Sequence, residues 1–345
     1  MRYKHFTNAN VDVSALAVGT WGTGELEKFG YVQKENGKVT TKGITEARNN
    51  AIEAIQAMLQ GGVNLIDTAP CYGWGASERI VGEAIQDFDR DKILISTKFS
   101  LIPDMAKPER GGASGGGSYK NVMREVCESL RLLRTDYIDF YFLHYPDPYT
   151  DVAETMSALN VLKKRGIIRY IGLSNHTKEQ IEAAMEWADI DVIQPPFSMI
   201  NREQEELMLW AKSHGIDSMT YGSLGSGLLT GAIREKPVWD PADIRGGFYR
   251  RLYEQENFDK FLKLLEVMDG IAAAHNSPVA QVALNWSTQQ ECVGTALCGV
   301  ANAKEAIENC KAFDWSLSDA ELKQLDDALE TMGIGKFKLL DWMKK

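Results

Sequence analysis

Short apolar runs alternate with longer stretches of helical period along most of this chain, starting near residue 15. Eight apolar runs have the length of β-strands: 15–21, 63–69, 92–98, 137–144, 170–175, 191–195, 216–222 and 293–299. Their continuous apolar character indicates strands that are buried on both faces, as in a parallel sheet covered by helices. Eight such strands with helices between them predict a closed (β/α)8 TIM barrel, formed by residues 1–345 as a single domain.

The intervening stretches carry signals for helix starts. We predict that Thr45 caps the helix after the first strand and that Ser118 opens the helix after the third. Ser277, followed by a proline, predicts an N-cap with proline at the first helical position. Ser318 and Glu321 have the spacing of a capping box.

A doubly wound open sheet is the alternative α/β architecture, but its dinucleotide-binding motif is missing. No predicted strand is followed by GxGxxG and a helix, and the GWG at 73–75 lacks the third glycine. The glycine-rich run 111–117 lies between the third strand and its helix. It is interpreted as a flexible loop or as a lid over an active site.

Composition and charge exclude several classes of protein. The net charge of −10 argues against a nucleic-acid-binding surface. No run approaches the roughly 20 apolar residues that span a bilayer, and no signal peptide is visible, so no membrane partner is expected. The five cysteines are scattered without a CxxC pair, which predicts reduced thiols in a cytoplasmic protein.

Polar residues mark the C-terminal ends of the predicted strands, where barrel enzymes build their sites. Asp67, Lys98 and His144 end the second, third and fourth strands, and Tyr72 follows in the loop after Asp67. The later strands end in Ser174 with Asn175, in Gln194 and in Tyr221. Such groups are costly inside apolar strands unless they are paired, so we expect them to meet at one mouth.

This set of residues suits carbonyl reduction, which needs a hydride and a proton on the developing alkoxide. Tyr72 is the candidate proton donor, and we expect the Lys98 ammonium to lower its pKa from the ordinary value of about 10. Asp67 would keep Lys98 charged and in position. His144, as a neutral imidazole, would donate to the carbonyl oxygen.

The residues that carry this chemistry lie in segments that resemble the aldo-keto reductase family. The matching segments cover nearly the whole chain and include 19–22, 64–78, 96–98, 129–147, 168–175, 194–202, 225–231 and 298–309. The resemblance places Asp67, Tyr72, Lys98 and His144 on the family's catalytic tetrad. It also implies a hairpin at 2–13 that plugs the barrel, and a dinucleotide lying across the mouth between long loops.

Further site residues follow from the same resemblance. It implies that Ser174, Asn175 and Gln194 hold the nicotinamide carboxamide, with Tyr221 stacked on the ring. The other implied cofactor contacts are Thr20, Trp21, Asp67, Gly222, Ser223, Leu224, Ser226, Gly227, Leu228, Gly299, Ala301, Glu305, Glu308 and Asn309. Among these, Gly222–Leu228 would wrap the pyrophosphate, and Glu308 and Asn309 would contact the adenine.

Three departures from the family pattern bear on specificity. Ala301 and Glu305 stand where the family commonly has basic or amide side chains for the 2′-phosphate of NADP(H), so we expect a preference for NAD(H). The segment 25–44 is longer than the family's usual first loop, and Tyr145 replaces a frequent tryptophan. Together with Tyr72 and His144, Trp21, Trp74 and Tyr145 are the predicted walls of the substrate pocket.

The leading hypothesis is therefore an NAD(P)-dependent oxidoreductase acting on a sugar, polyol, glycoside or other small carbonyl. Two alternatives stay open: a non-catalytic cofactor-sensing subunit of a larger assembly, and a cofactor-retaining isomerase or lyase. No metal is expected, since the five histidines show no HxH or HxxxH spacing. The sequence leaves the substrate, the direction of reaction and the oligomeric state undetermined.

Overall fold

Eight parallel strands close into a barrel in the computed structural model, which describes residues 1–102, 113–240, 243, 245–246 and 250–334. The strands follow one another around the barrel in chain order, so each connection joins a strand to its parallel neighbour. The predicted (β/α)8 barrel is thus confirmed. Its strands are β3 (Leu16–Gly19), β6 (Leu65–Asp67), β7 (Leu94–Phe99), β10 (Ile138–Leu143), β11 (Ile168–Ser174), β12 (Val192–Gln194), β13 (Asp217–Thr220) and β14 (Thr295–Cys298).

The predicted N-terminal hairpin plugs the barrel at the end where its strands begin. Strands β1 (Tyr3–Phe6) and β2 (Val11–Ser14) pair antiparallel. Phe6 and Val13 are completely buried in a cluster with side chains that point into the barrel, among them Phe140, whose ring meets that of Phe6 edge-on at 6.2 Å between centroids. Because this end is sealed by apolar packing, only the opposite end is left for a site.

Helices surround the barrel and bury the larger of the two apolar cores between themselves and the outer face of the strands. Their apolar faces follow from the helical period that the sequence shows. The described helices are α1 (Trp21–Gly24), α2 (Thr41–Gln60), α3 (Ala76–Ala84), α4 (Tyr119–Leu133), α5 (Val152–Lys164), α6 (Lys178–Met185), α7 (Glu205–Ser213), α8 (Gln255–Ala274), α9 (Val279–Gln289), α10 (Ala303–Cys310) and α11 (Asp319–Thr331).

Two of the predicted helix starts are confirmed. Helix α4 begins directly after Ser118, and α11 begins with the Ser318–Glu321 capping box. The start predicted at Thr45 is wrong, because α2 begins earlier with Thr40 as the N-cap. The helix needs glycine at position 43 in its first turn, because a Cβ there would lie 2.5 Å from the carbonyl oxygen of Gln33. This glycine made the true helix start hard to predict from the sequence.

The predicted cap at Ser277 is also wrong, by one residue. The N-cap position of α9 is taken by Pro278, and the helix begins at Val279. The Ser277 hydroxyl is buried without a hydrogen-bond partner among the residues that the structure describes. The fixed φ of Pro278 therefore favours the start of this helix, and no side chain caps it.

Two long loops shape the open end. Segment 25–44 contains a small hairpin, β4 (Lys34–Glu35) with β5 (Lys38–Val39), and Lys34 Nζ lies 2.6 Å from Asp240 Oδ2 in the loop after β13. In the glycine-rich loop, β8 (Leu101–Ile102) pairs with β9 (Ala113–Ser114). Part of the glycine-rich run 111–117 therefore forms a strand, and its first two positions, 111 and 112, lie outside the described residues. The choice between a flexible loop and a lid stays untested.

Candidate active site

Four ionisable residues predicted from the sequence meet at the open end of the barrel. Asp67 is the last residue of β6, Lys98 lies in β7 one residue before its end, and His144 directly follows β10. Tyr72 lies in the loop after β6. Since all barrel strands run in one direction, their C-terminal ends share one rim, and this brings the four side chains together.

The Lys98 ammonium is completely buried, and three acceptors surround it. Its Nζ lies 2.7 Å from Asp67 Oδ2, 2.9 Å from the Thr68 carbonyl oxygen and 3.3 Å from Tyr72 Oη. An ammonium has three N–H donors, so each acceptor takes one. A buried charge is tolerated only when it is paired and fully hydrogen-bonded, and this geometry meets that condition.

Asp67 is held by neutral donors on its other oxygen. Oδ1 accepts from Ser96 Oγ at 2.7 Å and from Gln194 Nε2 at 2.8 Å. Its backbone carbonyl accepts from the Thr20 hydroxyl at 2.8 Å. The Thr20 side chain is completely buried, and its hydrogen bond helps to position Asp67. The contact of Thr20 with the cofactor stays a prediction.

Backbone-to-backbone packing fixes the loop that carries Tyr72. A side chain on Gly24 would lie 2.3 Å from the Tyr72 carbonyl oxygen, and one on Gly73 would lie 2.0 Å from that of Gly24. Gly73 also has a φ of +63°, which favours glycine. Two glycines therefore let α1 and this loop approach closely and set the position of the phenol.

The pKa of Tyr72 moves in the direction opposite to our expectation. Burial raises it well above the ordinary value, and the nearby Asp67 carboxylate raises it further. Burial and the Asp67 carboxylate therefore outweigh the lowering that we expected from Lys98. Tyr72 is thus a neutral phenol at physiological pH and has a proton to give.

His144 is a neutral imidazole. Burial, followed by the nearby positive charge of Lys98, holds its pKa well below the usual range. Its ring lies edge-on to that of Tyr72 at 6.0 Å between centroids. Its backbone carbonyl accepts from Asn175 Nδ2 at 3.0 Å, which ties β10 to the loop after β11.

The residues predicted to hold the carboxamide form one hydrogen-bonded chain. Tyr221 Oη donates to Asn175 Oδ1 at 2.8 Å, Asn175 Nδ2 donates to Ser174 Oγ at 3.0 Å, and Ser174 Oγ donates to the Gln194 carbonyl oxygen at 3.0 Å. No described residue donates to Gln194 Oε1, which leaves an acceptor for an amide N–H. A carboxamide therefore fits the chemistry of this edge of the mouth.

The loop predicted to wrap the pyrophosphate follows β13 and turns through a short 3-10 segment, Gly225–Thr230. Gly222, Ser226 and Gly227 have positive φ values, and open space surrounds the Cα of Gly222. The Leu228 and Ser223 side chains are buried. These two residues would therefore offer backbone atoms to a ligand, and their contact with the pyrophosphate stays a prediction.

The segment after β14 holds the residues expected to set cofactor preference. Glu305, in the first turn of α10, accepts from the Ala301 backbone N–H at 3.0 Å and from Asn302 Nδ2 at 3.0 Å. Asn309 is buried and donates to Cys298 Sγ at 3.4 Å, so it contacts the barrel wall and has little surface to offer an adenine. Glu308 and Gly299 lie in the same segment, at partly or fully exposed positions.

Aromatic side chains lie beside Tyr72 and His144, and the substrate pocket that they would form stays a prediction. Trp21 lies 6.4 Å from Tyr72 and 5.1 Å from Phe29 between ring centroids. Tyr145 lies 5.1 Å from the His144 ring. Trp74 is 44% exposed, so it stands at the rim and is not packed beneath a loop.

Two residues of the site were not predicted from the sequence. Ser96 binds Asp67, and Cys71 Sγ lies 3.6 Å from His144 Nδ1. The alternation of a strand could have indicated Ser96, because it lies two residues before Lys98 and so points to the same side. No sequence signal marks Cys71, since its position depends on how the loop after β6 folds.

Across the described ranges, no group of three or more His, Cys, Asp or Glu side chains has the arrangement of a metal site. None of the helices in those ranges is both long enough and apolar enough to cross a bilayer.

A closed barrel with a buried Asp–Lys pair, a neutral phenol and a neutral imidazole at its C-terminal mouth defines a class of oxidoreductase. The comparison with known proteins agrees: residues 16–330 match the Aldo/keto reductase family. The chain belongs to this family and is an NAD(P)-dependent oxidoreductase of carbonyl and alcohol substrates.

Similar proteins cover nearly the whole chain. The aldo-keto reductase YhdN of Bacillus subtilis is 32% identical over 96% of this chain and 94% of its own length. An NADH-specific methylglyoxal reductase of Escherichia coli is 31% identical over 93% of this chain and 97% of its own. The solved structure of a glycerol dehydrogenase from Gluconobacter oxydans superimposes with a TM-score of 0.79 at 29% identity, covering 96% of this chain and 95% of that one.

Proposed function

We propose that this protein reduces small aldehydes and ketones to alcohols with Tyr72 as the proton donor. The observation that carries the proposal is the position of the Lys98 ammonium, 2.7 Å from Asp67 Oδ2 and 3.3 Å from Tyr72 Oη in a buried site. A cation so placed does little for a neutral phenol. It becomes strongly favourable when the phenol loses its proton, which is the charge change that general acid catalysis requires.

The proton moves from Tyr72 Oη to the oxygen of the substrate. The raised pKa keeps Tyr72 protonated before the reaction, and the Lys98 ammonium stabilises the phenolate afterwards. Asp67 holds Lys98 in place and balances its charge. In the direction of alcohol oxidation, the phenolate takes the hydroxyl proton back.

His144 orients the carbonyl in this proposal. Its lowered pKa keeps it neutral, so one ring nitrogen carries a proton that it donates to the carbonyl oxygen. A neutral imidazole adds no positive charge next to Lys98. Trp21 and Tyr145 give the substrate an apolar wall beside these polar groups.

Gln194, Asn175, Ser174 and Tyr221 are the residues that would hold the nicotinamide end of the cofactor. The free acceptor on Gln194 and the Tyr221 ring support this assignment. When bound, the nicotinamide supplies or accepts the hydride. The loop 222–228 would bind the pyrophosphate through backbone N–H groups, as loops rich in positive φ commonly do.

We also propose a preference for NAD(H) over NADP(H). The Glu305 carboxylate occupies the backbone N–H of Ala301, a donor that could otherwise bind a 2′-phosphate. Its negative charge repels such a phosphate and can accept from a free ribose hydroxyl. A similar protein is an NADH-specific reductase, which agrees with this assignment.

Titration of the purified protein with NADH and with NADPH, followed by tryptophan fluorescence, tests the preference. We expect tighter binding of NADH, and in Glu305→Gln we expect the ratio of the two affinities to move toward NADPH by about tenfold, which corresponds to ~1.4 kcal/mol. Glu291→Gln, at the plugged end of the barrel, is the matched control for a lost carboxylate. Equal affinities in the wild type, or an unchanged ratio in Glu305→Gln, would contradict the preference.

Turnover on a panel of small aldehydes, ketones and sugars tests the activity. NADH-dependent reduction that Tyr72→Phe abolishes supports the proposal. Tight cofactor binding without turnover of any carbonyl would point to a cofactor-sensing subunit. Conversion of a sugar without net change in NADH would point to a cofactor-retaining isomerase or lyase.

The cytoplasmic location expected from the sequence is also proposed. None of the five cysteines forms a disulfide in the described residues, which agrees with a reducing compartment. The proposed partners are a dinucleotide and a small carbonyl or alcohol, with no nucleic acid.

A further inference from the structure

Cys71 lies at the centre of the site without a role in the reaction described so far. It directly precedes Tyr72, and its sulfur lies 3.6 Å from Nδ1 of His144, within the range of a hydrogen bond to sulfur. Nε2, the other ring nitrogen, makes no hydrogen bond to any residue that the structure describes. One nitrogen of His144 is therefore committed to Cys71 and the other is available.

The choice between these nitrogens decides whether His144 can act. A neutral imidazole has a single N–H, and the hydrogen bond made by one nitrogen determines which of the two carries the proton. If Nδ1 carried it, Nε2 would be a bare acceptor and would repel a carbonyl oxygen. Only the Nε2–H form can donate to the substrate.

The chemistry of the pair favours that form. Burial raises the pKa of the Cys71 thiol to about 12, so the sulfur keeps its proton at physiological pH. An imidazole nitrogen is a much stronger acceptor than a thiol sulfur, so the S–H···N arrangement is preferred over N–H···S. Lys98 and burial disfavour the imidazolium, which would otherwise carry protons on both nitrogens.

We infer that the Cys71 thiol donates to Nδ1 of His144 and thereby holds the imidazole in the tautomer that carries its proton on Nε2. Cys71 is then a positioning residue, which acts on the substrate through His144. This inference deepens the proposed function and rests on it, since the tautomer matters only if His144 donates to a carbonyl oxygen.

The test uses two-bond ¹H–¹⁵N spectra of the full chain labelled at histidine, with His144→Gln to identify the His144 signals. In the wild type we expect the Nε2–H pattern.

In Cys71→Ala we expect a mixture of tautomers and a kcat reduced about three- to tenfold, with NADH affinity unchanged. Cys71→Ser retains a donor and should keep the tautomer, with kcat within about threefold. Cys127→Ala, which removes an exposed cysteine, is the control and should change neither readout.

Two results would overturn the inference. A wild-type spectrum with the proton on Nδ1 does so without any variant. An unchanged tautomer in Cys71→Ala would mean that the sulfur only fills space, whether or not the alanine and serine variants lose kcat equally. A shifted tautomer in Cys71→Ala together with full activity in His144→Gln would leave the tautomer assignment standing and refute the proposed role of His144.

Discussion

Replacing Tyr72 by phenylalanine removes one oxygen atom from the centre of the proposed mechanism. The ring can keep its contacts, since it lies 6.4 Å from Trp21 and 6.0 Å from His144 between centroids. Lys98 Nζ, at 3.3 Å, is the hydrogen-bond partner that Oη loses. The ammonium retains Asp67 and the Thr68 carbonyl, so the buried pair stays intact.

The expected loss of activity is far larger than the loss of stability. A positioned general acid contributes roughly 10²–10⁴-fold to a rate, which corresponds to about 3–5 kcal/mol of barrier. One hydrogen bond of this length contributes about 1 kcal/mol or less to folding. Cofactor affinity should stay within about twofold, because Tyr72 belongs to neither the carboxamide chain nor the pyrophosphate loop.

The assay measures kcat for NADH-dependent reduction of an aldehyde that the wild type turns over, and NADH affinity by tryptophan fluorescence. Tyr141→Phe is the matched control. Its hydroxyl is buried in the outer core and has no hydrogen-bond partner among the described residues. Its removal should leave kcat unchanged and, because an unpaired buried hydroxyl is lost, should not reduce the free energy of unfolding.

The reasoning is refuted if Tyr72→Phe retains kcat within tenfold of the wild type. The proton would then come from another group or from water. A large loss of NADH affinity would also contradict it, since the phenol would then be part of the cofactor site.

Two further predictions concern the stability of the barrel around the site. Gly172→Ala should lower the free energy of unfolding by about 1–3 kcal/mol, because its Cβ would lie 2.3 Å from the Phe142 ring; urea unfolding like that of the wild type would contradict this. Burial lowers the pKa of His176 to about 4. As the pH falls below about 6.5, the ordinary pKa of histidine, this side chain takes up a proton in the unfolded chain but not in the folded protein, so the free energy of unfolding decreases. In His176→Gln, the decrease in the free energy of unfolding between pH 7 and pH 5 should be about 1–2 kcal/mol smaller than in the wild type. Equal decreases in the two proteins, measured by urea unfolding at each pH, would contradict this prediction.

Strand periodicity was enough to predict the barrel. Each of the eight predicted runs overlaps an observed strand, because a strand buried on both faces must be apolar throughout. The direction of the strands then placed Asp67, Lys98 and His144 at one rim without any coordinates. Helix starts were predicted less well. Thr45 and Ser277 have side chains that can cap a helix, but the helices begin at other residues, where the local backbone or a proline favours the start.

Some properties of the site residues were likewise predictable from the sequence, and others were not. The sequence by itself determined which groups stand at the strand ends, because composition and period fix which residues are buried and polar. Only the tertiary structure decided the charge state of Tyr72, the burial of Thr20 and the contact of Cys71 with His144. Those properties depend on distances between residues far apart in sequence and on the exclusion of water, and a pattern along one chain records neither.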